Sequence, residues 1–235
     1  NTSAASSTGH IHQASTTQEY SFTIKHVAAR VNAVYYFRLY DVTNDLPVTT
    51  AIGASYPSLV TEGANLVLGV TGLPSGTTTA GVTTDTNTTP SSIGFGALTF
   101  NEEYIAAHRI TVETNATEGY QLFKFARQQL LNSHGIDIPP ILGTNATPTS
   151  WILGCVATST GCIGYHSTDA TLKNSSTRFA AVDTYAGIET VPEEIMYSSI
   201  PTTDTHDIVY RIKVNELQEA GDYETDVVYL AVPSF

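Results

Sequence analysis

The stretch RITVETNATEGYQLFKF (109–125) decides the fold class. RITVE and GYQLFKF carry β-branched and aromatic residues at a period of two, the spacing of side chains along a strand. TNATEG (114–119) between them has turn chemistry. Downstream, QLFKFARQQLLN (121–132) places apolar residues at 122, 123, 125, 126, 130 and 131, which suits a helix about as well as a strand followed by a loop. We read a strand at 119–126 and then a turn. The same period extends outward in both directions. Tyr20, Phe22 and Ile24 share one face and Ser21 and Thr23 the other. AVYYFRLYDV (33–42) alternates aromatic and aliphatic residues, ANLVLGV (64–70) groups Leu66, Leu68 and Val70, and DIVYRIKV (207–214) and DYETDVVYLAV (222–232) continue the pattern. Between these runs lie the breakers TNDLP, LPSG, NTTP, LNSHG, IPP and EAGD. Short strands separated by Gly, Pro and Asn turns predict an all-β chain folded as an antiparallel sandwich.

Four segments follow from composition. Residues 1–17, NTSAASSTGHIHQASTT, lack apolar content and periodicity, so an ordered form would be an extended polar arm held by something else. Residues 18–72 read as a small β unit and 90–235 as the main sandwich. Residues 73–89, dominated by Thr and Gly, read as a linker or an edge loop. No internal repeat is present.

Of the 235 residues only 14% are Asp, Glu, Lys or Arg, and 36 are Thr. An average soluble domain holds roughly 25% charged residues, so polarity here comes from hydroxyls instead. A net charge of −12 with no basic cluster excludes nucleic-acid binding and opposes an anionic membrane surface. No apolar run approaches the length of a membrane-spanning helix, so no membrane insertion is expected.

The chain starts at Asn1 without Met or a basic–apolar leader, as expected of a mature, processed protein. Cys155 and Cys162 have no paired ligands for a metal nearby, and a disulfide closing a tight turn through Gly161 and Gly164 is the expected state. Sequons begin at Asn1, Asn87, Asn115, Asn145 and Asn174; the last four are candidate glycosylation sites in turn-like stretches. Together these features place the protein outside the cytoplasm, at the cell surface.

Three stretches carry a resemblance. EYSFTIKHVAARVNAVYYFRLYDV (19–42), with its Y-x-F-R-x-Y run, resembles the later strands of a fibronectin type III-like domain. TDTHDIVYRIKVNELQEAGDYETDVVYLAVPSF (203–235) resembles the closing hairpin of secreted bacterial Ig-like or pilin-like sandwiches, where an A-G-x-Y turn leads into the last strand. With HRITVETNATEGYQLF and GCIGYH, the chain is similar to an uncharacterised family of secreted bacterial surface proteins of pilin or adhesin type. The resemblance covers about 150 residues and implies an Ig-like or jelly-roll architecture and an extracellular location, with no chemistry. The N-terminal unit has too few strands for a complete fibronectin-like domain, so a strand would have to come from elsewhere.

The chemical motifs are sparse. His10 and His12 flank Ile11, but two rings do not make a metal site. His166 beside the cysteine loop reads as a hydrogen-bonded packing residue, and His206 between Asp204 and Asp207 as a surface group. The Asp204–Asp207 cluster is a weak calcium candidate. Glu193 and Glu194 are adjacent on a strand and face opposite ways, so they could not flank one glycosidic bond. No nucleophile elbow, zinc motif or phosphate loop is present. An intramolecular Lys–Asn isopeptide bond could involve one of Lys25, Lys124, Lys173 and Lys213, but the sequence gives no ground to prefer it. No cofactor and no enzymatic activity are expected.

Two functions fit. In the first, the protein is a structural subunit of an extracellular filament, polymerising head-to-tail with copies of itself. The strand with Tyr20, Phe22 and Ile24 as knobs would complete the neighbouring subunit. In the second, it is a monomeric adhesin or carbohydrate-binding module contacting surface glycans, with Trp151 as the stacking platform.

Overall fold

The computed structural model describes residues 65–173 and 178–235, and within 1–64 the strands Val34–Tyr36, Tyr40–Asp41, Leu46–Pro47 and Ser58–Val60. The chain divides into two units, Asn1–Gly63 and Ala64–Phe235. In the first, Val34–Tyr36 pairs antiparallel with Ser58–Val60, and Tyr40–Asp41 with Leu46–Pro47. The knobs Tyr20, Phe22 and Ile24 and the arm 1–17 lie outside the described residues.

The second unit is built on two antiparallel sheets. Four strands lie in the order Gly161–Ser167, Thr202–Val214, Glu103–Thr114, Leu66–Gly72, and three in the order Glu193–Ser198, Tyr120–Ala126, Val227–Pro233. Leu66–Gly72, grouped by sequence with the N-terminal unit, pairs along its length with Glu103–Thr114 and is part of this larger body. Tyr120–Ala126 is the strand that alternation predicts, and it buries Tyr120, Leu122, Lys124 and Ala126 on one face.

The period of two sorts each long strand into two faces. Ile110 and Val112 meet Ile208, Tyr210, Ile212 and Val214 on the inner face, where they pack with Leu122, Ile195 and Met196 of the other sheet in one apolar core. The odd-numbered residues form cross-strand pairs on the outer face. Glu103 stands opposite Lys213, Ala107 opposite Val209, Arg109 opposite Asp207 and Thr111 opposite Thr205. Arg109 grips Asp207 through two hydrogen bonds of 2.8 and 3.0 Å, and the two threonine hydroxyls meet at 3.1 Å.

The Thr/Gly-rich run does not hang free. Thr78–Thr79 pairs with Val82–Thr83 and Thr88–Thr89 with Ser92–Ile93, and this region covers Ala107 and Val209 of the outer face with Leu73, Ala80 and Val82. Thr84 is buried because its hydroxyl donates to the Pro74 carbonyl at 2.8 Å and accepts from the Thr77 N–H at 3.0 Å. The turn requires close approach at Gly72, where a Cβ would sit 2.2 Å from the Thr88 carbonyl oxygen.

Candidate functional site

Two constellations stand out. The first is a side of the two-sheet body. Leu66–Gly72 is an edge of the four-stranded sheet and Val227–Pro233 an edge of the three-stranded one, and the two touch. Neither strand contains a charged residue, and none of their fourteen residues (seven in each strand) is fully buried. Leu66, Leu68, Val70, Val227, Tyr229 and Ala231 reach the core but are only half covered. Val67 and Leu230 are 50% and 47% exposed. Soluble proteins commonly blunt such edges with lysines, bulges or covering loops; here, among the described residues, no further strand pairs with either edge.

The second constellation is a polar cluster inside the core. Lys124 points inward from the middle strand of the three-stranded sheet and is 0% exposed. Its Nζ stands 3.7 Å from the centre of the Tyr165 ring and has no hydrogen-bond partner among the described residues. Its cross-strand partner is Glu193. The Tyr165 hydroxyl donates to Glu193 Oε2 at 3.1 Å, and the nearby Asn145 backbone N–H favours the charged form of the same carboxylate. Burial drives Lys124 below its ordinary pKa and Glu193 above its own, so each is pushed toward its neutral form. The Asn145 side chain is buried as well. Its Nδ2 donates to the Glu194 carbonyl at 2.9 Å, and its Oδ1 has no partner among the described residues.

Cys155 and Cys162 form a disulfide with Cα atoms 5.4 Å apart. It does not close a tight turn through Gly161 and Gly164: both glycines lie in strand Gly161–Ser167, and the bridge ties that strand to a helix, Trp151–Val156. Trp151 is 1% exposed and therefore offers no face to a sugar ring. Its indole packs edge-on to Tyr185 at 5.2 Å, lies under the Arg211 guanidinium at 4.8 Å and donates from Nε1 to Glu103 at 3.0 Å. Burial pushes the Glu103 carboxyl up, but Arg211, Trp151 and Lys213 outweigh it and hold it below the ordinary carboxylate range. An open groove of about 290 Å³ beside the bridge is lined by Glu103, Cys155, Lys213 and Asn215 among others.

The remaining sequence candidates are spent on structure. Asn145 cannot serve as a glycan acceptor in this fold, since its amide is buried and bonded. Asn87 and Asn115 are exposed, and their Oδ1 atoms accept from the backbone N–H groups of Ser75 and Asn65. Asn174 lies outside the described residues, as do His10 and His12. Asp204 accepts from the Tyr120 and Thr202 hydroxyls, and Asp207 is held by Arg109. Among the described residues no three His, Cys, Asp or Glu side chains converge as metal ligands. His166 is buried, with Nδ1 2.7 Å from the Thr184 carbonyl oxygen, so that nitrogen carries the proton. Glu193 and Glu194 do face apart, the first toward Tyr165 and the second toward Gln121 and the Lys173 N–H.

Sequence reasoning passed over the pairing of Lys124 with Glu193. The signal was present in YQLFKFA: alternation puts a lysine in line with Tyr120, Leu122 and Ala126, where an apolar residue is the norm. No protein-family model matches the chain, and no curated protein or solved structure matches it.

Proposed function

We propose that the protein is a structural subunit of an extracellular filament or surface assembly, joined head-to-tail to copies of itself by strand addition. The observation that carries this reading is the pair of uncharged, half-covered edges Leu66–Gly72 and Val227–Pro233. An extended segment laid along either edge would pair the unused backbone groups, and its alternate side chains would cover Leu66, Leu68 and Val70 or Val227, Tyr229 and Ala231. The chain contains such a segment. YSFTI (20–24) is uncharged and alternates Tyr20, Phe22 and Ile24 with Ser21 and Thr23. A completed body of this kind would be an Ig-like sandwich. Because donor and acceptor are different surfaces, the contact does not close on itself and gives a filament. The carbohydrate-binding alternative has no observation in its favour, its nominated platform Trp151 being buried.

Electron microscopy of the full chain beside a form lacking residues 1–27 tests the proposal. Filaments from the full chain and monomers from the shortened one are expected. A full chain that stays monomeric at high concentration would sink it.

A further inference from the structure

We infer that Lys124 and Asn145 become joined by an isopeptide bond inside the core, formed by the protein itself with Glu193 as the proton carrier. The inference starts from two orphaned atoms. A fully buried lysine Nζ with no hydrogen-bond partner is costly, and a second unpaired buried group, Asn145 Oδ1, belongs to a side chain bonded to the residue after Lys124's cross-strand partner. Both residues converge on Glu193. Lys124 is its cross-strand partner, and Asn145 bonds through Nδ2 to the next residue's carbonyl, with its backbone N–H close enough to the Glu193 carboxylate to favour its charged form.

The chemistry is complete with what the cluster holds. The Lys124 amine attacks Asn145 Cγ, forming the Nζ–Cγ bond. The Cγ–Nδ2 bond breaks and Nδ2 leaves as ammonia. Glu193 delivers the proton it carries to the leaving nitrogen and takes up the one released by the attacking nitrogen, so it ends as it began. No oxidant, reductant or co-substrate is needed. Three features favour the reaction. Burial pushes the amine toward its unprotonated, nucleophilic form and the carboxyl toward its protonated form, the pair of states the transfer starts from. The Tyr165 ring shields Nζ, and its hydroxyl holds Glu193 in place. The Glu194 carbonyl fixes the rotation of the Asn145 amide and thereby the direction from which Cγ can be approached. The product removes the buried amine from the core and replaces it with a neutral amide.

The test is the intact mass of the full chain after reduction of the disulfide. The expected mass is lower than that of the sequence by one ammonia, about 17 Da. Digestion with trypsin should give peptide 110–127, uncleaved after Lys124, linked to peptide 128–173. Glu193→Gln keeps both reacting groups and should restore the full mass. Lys124→Met, an apolar replacement that fits a core, should restore it too, with folding checked through the Cys155–Cys162 bridge. Folded wild-type protein at full sequence mass would overturn the inference. So would an ammonia loss that persists in Lys124→Met, because that loss would be a succinimide formed elsewhere.

Discussion

Gly161–Ser167 and Leu66–Gly72 are the two edges of one sheet and are equally long, yet all seven residues of the first are buried and none of the second is. The difference is made by chain from outside the sheet. Along Gly161–Ser167, the Ile163 N–H donates to the Pro139 carbonyl at 2.9 Å and the Ile163 carbonyl accepts from Ile141 at 2.8 Å. Tyr165 and Ala186 exchange two further backbone bonds. Ile141, Trp151 and Tyr185 then roof the strand with the disulfide. This edge is closed in backbone and in side chains. Leu66–Gly72 has only its sheet neighbour and a half share of the core. An edge is therefore sealed only where extra chain is supplied to cover it, and its hydrophobicity alone does not predict whether it is sealed.

The contrast can be broken most forcefully at Trp151. Trp151→Ala removes the centre of the roof and leaves Glu103 without its indole donor, with an expected loss of about 3–5 kcal/mol in denaturant unfolding. A loss below about 1 kcal/mol would mean that the roof is not what closes this side. Replacing Cys155 and Cys162 by Ser should cost less, about 2 kcal/mol, because the bridge closes a short loop. The same unfolding experiment under reducing conditions should reproduce that loss in the parent protein.

Acid should loosen the roofed side next. Burial lowers the His166 pKa from its ordinary 6.5, so the ring stays neutral in the fold while the unfolded chain takes up a proton below that pH. Its contribution is complete above 6.5 and declines as the pH falls, by at most about 1.4 kcal/mol per pH unit. His166→Gln should flatten the decline seen between neutral and mildly acidic pH; an unchanged slope would assign it to other groups. The open side should respond least. Val67→Thr and Val232→Thr keep shape and add a hydroxyl to exposed positions, so stability should stay within about 0.5 kcal/mol of the parent. Filament length in electron micrographs should nevertheless fall, since both positions lie on the proposed acceptor edges, where an added strand's outward side chains would pack beside them. Large destabilisation with unchanged filaments would reverse the roles of the two sides.

Much of this could be read from residue spacing. Alternation in 64–70, 119–126 and 207–214 falls on observed strands, and that in 222–232 on one from Val227 onward, because one face of each meets a single shared core. Helix Trp151–Val156 escaped, being six residues long with no side-chain cap and no acidic residue in its first turn. Its existence depends on Trp151 finding Tyr185 and Arg211, which are distant in sequence. The Thr-rich run escaped for another reason. Its hydroxyls bond to neighbouring backbone, so Thr84 can be buried without an apolar signal. Lys124 was legible as an inward residue. Asn145 was not, because a turn placed by long-range contacts brings it to Glu193.

One further consequence concerns force. The turn 115–119 holds both ends of the larger unit. Asn115 Oδ1 accepts from the Asn65 N–H at 2.6 Å, while Gly119 and Glu118 exchange backbone bonds with Ser234 at 2.9 and 3.1 Å. A Cβ at Gly119 would lie 2.1 Å from the Ser198 carbonyl oxygen, so the turn is also wedged against the neighbouring strand. Tension applied between Asn65 and Ser234 would pull on this knot and open strands Leu66–Gly72 and Val227–Pro233 one bond at a time, like a zip. Tension borne by a segment lying along an edge would act parallel to the strand and strain its whole row of bonds together. The same body would thus be soft when stretched through its own ends and stiff when loaded along an edge by an added strand.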